Sequence, residues 1–587
     1  MSLATEVAPA PTRQQHSFHP RPVFHLKAPQ GWMNDPCAPA FDPATGTYHM
    51  FYQWNPESCD WGNITWGHAT STDGLRWNHG AVNPALSPSE PYDKEGIFTG
   101  CFWPTGPHGD PGQLTVVYSS ITALPIHWTL EHTRNSEGVS LATSSDNGRT
   151  WQKSPLNPVI TGEPEGLRVT GFRDPFLASW PALDRVRGEK SLYGILSGGI
   201  VGQTPTVFIY AVAPDDLTTW RYLGPLADIG TGFRTPGPWN GDFGVNWECG
   251  NFMTLRNGIE EREFLLMGTE GGVKPGPDPN EPLGQWCLWL AGTLEQTADG
   301  APRLRRDFDG IADHGCLYAV SSYEHPVSRK RILFGWIKED ELPAHRRAAR
   351  GWAGYLSLPR EMFLYSARGV LRGLRSSLAD IRSLSVTPDA SGPASTIQTL
   401  GIRPIDDLRL LRPSRPTGRW SSLGSAGLSG ILKRARSTSW ELDAVVAVHP
   451  DDHGRVGFHI CHDHDASRRT TVYFDAREER IVVDKSASNN DDEIAKHPES
   501  GPFTLFWLAD AGGETLEKLR LRIFRDGDTL EVFANDRFAL STTVYADEAC
   551  AGLSWFVEGA GDATGVFESV DFWDELGREP DVVNPHL

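Results

Sequence analysis

The chain is 587 residues long and carries 54 Lys+Arg against 74 Asp+Glu, a formal net charge of −20. A surface that acidic repels a phosphate backbone, so nucleic acid is not an expected partner. With 10% aromatic residues bulk disorder is excluded, and no apolar run approaches the ~20 residues of a membrane helix, so no membrane partner is expected.

Residues 1–19 read as a tail. They hold neither a basic segment nor a long apolar stretch, so the sequence predicts no secretory signal and a cytoplasmic location. The eight cysteines, Cys37 to Cys550, show no paired spacing and no C-x-x-C, which argues for reduced thiols and against zinc or redox motifs. No metal and no cofactor are expected. From residue 20 onward, short apolar or alternating runs recur between turn residues: Tyr48–Tyr52, Leu114–Tyr118, Val207–Ala211, Phe264–Met267 and Arg331–Trp336. Each has the length and borders of a strand. Long helical periodicity is almost absent, and Leu371–Ile381 is one of the few helical candidates.

A repeat sets the expected architecture. Ser71-Thr-Asp73-Gly-Leu-Arg-Trp77 is echoed by Ser144-Ser-Asp146-Asn-Gly-Arg-Thr-Trp151 and, more weakly, by Pro214-Asp-Asp216-Leu-Thr-Thr-Trp220, with the tryptophans 74 and 69 residues apart. A turn recurring every ~70 residues among short strands predicts one copy per propeller blade, the Asp capping its own turn and the Trp packing between neighbouring blades. Residues 20–365 then hold about five blades. Residues 366–395 read as a linker, rich in turn signals. Period-two runs at Trp440–Val448, Thr471–Phe474, Leu519–Phe524 and Leu530–Phe533, with a hairpin signal at Asp526-Gly527, predict a β-sandwich over 396–587. The fold class is all-β: an N-terminal five-bladed β-propeller plus a C-terminal β-sandwich.

Three carboxylates stand out: Asp35 in Gly31-Trp-Met-Asn-Asp-Pro36, Asp174 in Gly171-Phe-Arg-Asp-Pro175 and Glu248 in Asn246-Trp-Glu-Cys249. They are 139 and 74 residues apart, about two repeats and one, so inner strands can bring them to one central channel. The proline after each Asp is expected to hold it extended. Of the five Asp-Pro pairs, those at Asp42, Asp110 and Asp278 read as turns. The flanks single out the other two, with Asn34 and Arg173 placed to hold carboxylates ionised and Trp247 placed as an apolar wall beside Glu248. Two carboxyls in one pocket suit glycosyl transfer, one ionised to attack the anomeric carbon and one protonated to release the leaving oxygen. The third can grip sugar hydroxyls.

Taken in order, Trp32-Met-Asn-Asp-Pro36, Phe51-Tyr-Gln-Trp-Asn-Pro56, Trp61–Ala69, Phe98-Thr-Gly100, Phe172-Arg-Asp-Pro175, Trp247-Glu-Cys249 and Ser357-Leu-Pro-Arg-Glu361 resemble glycoside hydrolase family 32, the family of invertases, inulinases and fructosyltransferases. Val483-Asp-Lys-Ser486 and Glu531-Val-Phe533 are similar to that family's sandwich, so the resemblance spans nearly the whole chain. It implies a retaining, metal-free double displacement on a small sugar such as sucrose or a short fructooligosaccharide. Asp35 matches the nucleophile, Glu248 the acid/base and Asp174 the transition-state stabiliser. Asn34, Gln53, Trp61, Phe98, Thr99 and Arg173 match residues that hold the fructosyl ring, and Tyr318 and Trp336 the outer subsite. Cys37-Ala38 after Asn-Asp-Pro looks like the fungal fructosyltransferase branch, and implies transfer to a second sugar in competition with hydrolysis. Thr99-Gly-Cys101, Gly250 and Cys316 also depart from the family's usual residues.

Two alternatives use other chemistry: an inverting five-bladed arabinan or xylan hydrolase, and a non-catalytic sugar-binding protein. A sialidase lacks its tyrosine nucleophile and arginine triad here. Cys461-His-Asp-His-Asp465 reads as a polar turn rather than a metal site, Gly198-Gly199 and Gly271-Gly272 read as loops, and a glycan on the Asn63 sequon would obstruct the pocket.

Overall fold

The computed structural model describes residues 20–258, 260–273, 284–390, 392–424, 429–449, 454–510, 512–547, 549–559 and 565–578. The expected tail at 1–19 and the Asp278-Pro279 turn lie outside them. Two architectures follow one another, a propeller and a sandwich, and both are built almost wholly of antiparallel strands.

In the N-terminal part each sheet starts with a strand that lies innermost: Gly31–Asp42, Gly96–Trp103, Val169–Ser179, Asn246–Asn257 and Leu317–Glu324. Each of these packs against the next, and the last returns to the first, so they form a closed ring. The ring is sealed by the short strand Trp352–Ala353, which runs parallel to the first strand with Gly31 opposite Trp352. The innermost strands are buried on both faces, polar residues of the site included.

The repeated turns do what their residues predict. Asp73 Oδ1 accepts from the backbone N–H of Leu75 and Arg76 at 2.9 and 2.8 Å, and Asp146 Oδ1 from Arg149 and Thr150 at 3.1 and 2.9 Å. Trp151 packs edge-on against Phe51 of the preceding sheet and Trp77 against Phe334 of the last one. Trp220 differs: it lies over its own sheet, against Tyr210 and in the space a side chain at Gly194 would fill.

Three readings are corrected. Gly198-Gly199 and Gly271-Gly272 lie within the strands Leu192–Ile200 and Glu260–Gly272, not in loops. A Cβ on Gly198 would sit 1.8 Å from the Gly171 carbonyl oxygen, so glycine there permits close approach of backbones. Residues 366–395 are not an irregular linker. The strand Arg360–Gly373 runs from the fifth propeller sheet into this stretch, where it pairs with Ser395–Pro404 and with Phe506–Asp510 from far along the chain. The helical candidate at 371–381 is that strand's end followed by a single 3-10 turn, Leu378–Asp380, because its apolar side chains serve a sheet and an interface.

The sandwich stacks two six-stranded sheets whose inward side chains, among them Leu442, Val446, Phe458, Phe474, Ile523, Val532 and Phe572, form one core. The Asp526-Gly527 signal is a two-residue hairpin with Gly527 at φ 63° and Asp526 paired to Thr529. Buried charges join the two halves. Arg360, wholly buried, bonds Asp313 at 2.8 Å and Glu531 at 2.6 Å, and His25 bridges Asp526 and Glu531 at 2.9 and 3.0 Å.

Candidate active site

All five innermost strands carry a register shift where they reach the centre of the ring. The shifts fall between Met33 and Pro36, Phe98 and Gly100, Arg173 and Phe176, Glu248 and Asn251, and Tyr318 and Ser321. A bulge kinks the strand and re-aims a side chain out of the ladder. The side chains so released are Asn34 and Asp35, Thr99, Asp174, Glu248 and Tyr318. Asp174 itself has φ 61°, Cys249 φ 50° and Ala319 φ 48°. The extended geometry expected of Asp174 before its proline is therefore wrong. The bulge forces a left-handed backbone that Asp tolerates better than most residues, and the backbone N–H, freed from the ladder, donates to Ser119 Oγ at 2.7 Å.

Asp35, Asp174, Glu248 and Tyr318 line a cavity of about 180 Å³ with Asn34, Gln53, Trp61, Phe98, Arg173 and Trp336, all predicted, and with Ile126, Glu270 and Gln285, which were not. Thr99 stands behind Asp35 rather than on the cavity wall. Its hydroxyl donates to Asp35 Oδ2 at 2.5 Å and accepts from Gln53 Nε2 at 2.7 Å. Gln53 also donates to Asp35 Oδ2 at 3.2 Å, and Asn34 Nδ2 to Asp35 Oδ1 at 2.9 Å. The Trp32 indole fixes Asn34 through a 3.1 Å bond to its Oδ1. Asn34 thus holds Asp35 as predicted. Burial pushes the Asp35 carboxyl up to about 6 and the Glu248 charge adds to it, while Thr99, Asn34 and the Cys249 thiol pull it down.

Asp174 is more isolated from water. Its Oδ2 accepts from the Cys249 backbone N–H at 2.9 Å, and the Cys249 thiol lies 3.5 Å from Asp35 Oδ2 and 3.6 Å from Asp174 Oδ2, so one sulfur touches both carboxylates. Burial, against the pull of Arg173, raises Asp174 to about 8, with the charges of Glu248 and Asp35 adding to the rise. Three carboxylates this close cannot all be charged without a cost.

Glu248 meets Arg173 and Tyr318. Arg173 Nη2 and Nε reach Glu248 Oε1 at 2.7 and 3.2 Å, and the Tyr318 hydroxyl donates to Oε2 at 2.7 Å. Arg173 therefore bonds a carboxylate of the site, Glu248, as expected. Trp247 does not form the expected wall. Successive residues of a strand face opposite sides, and its indole is fully buried on the far side, donating to the Phe243 carbonyl at 3.1 Å. Apolar surface comes instead from Trp336, packed edge-on against Trp32, and from Trp61 against Phe98.

Glu270 was missed, though a signal existed. It lies on the strand after Glu248, and the hairpin register places it opposite Asn246. It accepts from Asn246 Nδ2 at 2.9 Å and from Arg173 Nη2 at 3.4 Å, and burial together with Glu248's charge raises it to about 7. Glu137, which reaches Arg173 from the second sheet, had no signal at all in Ser136-Glu-Gly138.

The closed ring of sheets, the sandwich and the acidic central pocket define a propeller–sandwich protein with a carboxylate triad open to a small polar ligand. The chain belongs to the glycosyl hydrolases family 32: the family's N-terminal domain matches residues 25–372 and its C-terminal domain residues 409–574. Beta-fructofuranosidase 1 of Zea mays is 31% identical over 373 residues, 60% of this chain and 49% of that protein. The chain spans about half the length of the curated relatives it matches. Among solved structures, an Aspergillus kawachii beta-fructofuranosidase complexed with glycerol superimposes with a TM-score of 0.84 at 28% identity, covering 98% of both chains. A fructosyltransferase from A. japonicus does so at 0.84 and 25% identity, covering 95% of both.

Proposed function

We propose that this chain is a retaining β-fructofuranosidase that acts on sucrose and short fructooligosaccharides and passes the fructosyl group to sugar acceptors as well as to water. The observation that supports this reading most is the meeting of Asp35, Asp174 and Glu248 at the bulges of three ring strands around one cavity.

Asp35, ringed by Asn34, Gln53 and Thr99, is the nucleophile. Its carboxylate attacks the anomeric carbon as Glu248 gives a proton to the departing glycosidic oxygen. The C–O bond to glucose breaks, and an ester to Asp35 forms. Glu248, now ionised, takes the proton of an incoming water or sugar hydroxyl, whose oxygen attacks the same carbon and frees Asp35. Asp174 grips ring hydroxyls, and its bonds to them strengthen as the ring gains oxocarbenium character. Asn34, Gln53, Trp61, Phe98 and Arg173 hold the fructosyl ring, and Tyr318 and Trp336 face the outer sugar. Transfer is supported by Cys37-Ala38 after the nucleophile and by the likeness to the A. japonicus fructosyltransferase.

Incubation with concentrated sucrose and separation of products tests this. Glucose in excess over fructose, with kestose-type trisaccharide, is the expected result. Equal glucose and fructose would remove the transfer activity alone, and no glucose release would remove the whole reading.

A further inference from the structure

A general acid beside a fixed guanidinium faces a difficulty. An arginine that donates to a carboxylate favours its ionised form, which has no proton to give. Arg173 brings both Nη2 and Nε to Glu248 Oε1, at 2.7 and 3.2 Å, yet Glu248 is the residue that must deliver the proton. The other end of Arg173 answers the difficulty. Its Nη1 bonds Glu137 Oε1 at 2.8 Å, and the Glu137 side chain is wholly buried. Glu137 Oε2 is fixed in turn by the Phe172 backbone N–H at 2.7 Å and faces His132 Nδ1 at 3.5 Å, while His132 Nε2 reaches Glu163 at 3.3 Å. Glu163 closes the chain at the surface with Arg134 at 3.4 Å.

We infer that Glu137 is a positioning residue for the reaction: a buried counter-anion that takes up the Arg173 charge, so that Glu248 can hold the proton it must deliver. This rests on the assignment of Glu248 as acid/base. Glu137 touches neither the cavity nor a reacting atom, and it acts only through Arg173. The groups facing Glu248 are Arg173 and Asp174 on one neighbouring strand, Glu270 on the other, Tyr318 and Asp35 from across the ring, and Cys249 beside it. Arg173 is the only cation among these described groups. Those facing Glu137 are Arg173 and His132, with Glu163 beyond.

The test is the pH dependence of kcat/KM for sucrose in the full chain. Glu137→Gln keeps the shape and the acceptor oxygen but removes the charge. Arg173 then acts on Glu248 with one counter-charge fewer, and the basic limb of the profile moves to lower pH by about one unit, the scale of a charge one residue removed in a protein-like dielectric. Glu137→Asp, which keeps the charge, leaves that limb near its original position. His132→Leu moves it the opposite way: the imidazole that faces Glu137 Oε2 at 3.5 Å is gone, and Glu137 acts on Arg173 alone. This variant leaves Glu137 and Arg173 themselves in place, and serves if the Gln variant fails to fold. A uniform loss across pH in Glu137→Gln, or limbs that do not move in either variant, would overturn the inference and leave the carboxylate assignments standing. Full activity in Glu248→Gln would instead overturn the assignment beneath it.

Discussion

Thr99 offers a quantitative test of how Asp35 is kept ready to attack. Its hydroxyl is buried, donates to Asp35 Oδ2 at 2.5 Å and uses its lone pair for Gln53 Nε2 at 2.7 Å. Thr99→Val keeps the branched shape and removes only the hydroxyl. Gln53 cannot compensate, since its amide already donates to Asp35. A hydrogen bond to a charged group contributes about 1.5–3 kcal/mol. At 1.36 kcal/mol per unit, its loss raises the Asp35 carboxyl by about 1–2 units. The sign follows because the bond favours the ionised form, so removing it favours the proton. Asp35 starts at about 6, so the acidic limb of kcat/KM, followed by glucose release from sucrose, moves to about 7–8. Activity then falls steeply at mildly acidic pH, and the basic limb stays where Glu248 sets it. An acidic limb that stays in place or moves down would refute both the role of Thr99 and the choice of Asp35 as the ionising nucleophile.

Other outcomes follow from the same coordinates. Glu248→Gln loses about two to four orders of magnitude in kcat on sucrose while still binding it, measured by calorimetry, since proton delivery alone contributes about 10²–10⁴-fold. Asp35→Asn forms no fructosyl-enzyme, checked by mass spectrometry of the quenched protein; a labelled adduct would reassign the nucleophile. Asp174→Asn is inactive yet melts higher than wild type above neutral pH, because the buried aspartate, raised to about 8, must give up a favoured proton there and asparagine has none to lose; a lower midpoint contradicts this. His25 is raised to about 9, its burial outweighed by Asp526 and Glu531. Its stabilising effect is complete below about pH 6.5 and is lost as pH rises toward 9. The thermal midpoint of wild type therefore falls over that range while His25→Gln stays flatter, and parallel curves would exclude the bridge as the cause.

The sequence showed what depends on local chemistry. The Asp-capped turns at Asp73 and Asp146 and the Asp526-Gly527 hairpin are local, and the structure has them where their residues predict. The carboxylates were legible because tryptophan, asparagine and arginine beside them have no use in a plain turn. Contacts between distant segments were not legible. Nothing in Arg360–Gly373 tells that it will pair with Phe506–Asp510, and turn-forming residues nearby made the stretch look like a linker. Trp247 misled because adjacency in sequence was read as adjacency in space, where a strand puts neighbours on opposite faces. Glu137 was invisible because its meaning lies wholly in an arginine 36 residues away.

The positions that bear the chemistry are also those where the fold departs from its own regularity. A ring of two-sided, buried strands has no spare backbone groups and no outward-facing side chain at its centre. A bulge in each strand supplies both: it frees the Asp174 N–H for Ser119 and the Cys249 N–H for Asp174, and it turns five strands' side chains into one cavity. The left-handed backbone at Asp174, Cys249 and Ala319 and the burial of several carboxylates around one guanidinium all oppose stability. The surrounding apolar packing and the Arg360–Glu531–His25 cluster, outside the site, offset them. Relief of strain or charge inside the ring should therefore stabilise the protein at the expense of turnover, whereas loss of the interface cluster should lower stability first and alter turnover only as the ring loosens.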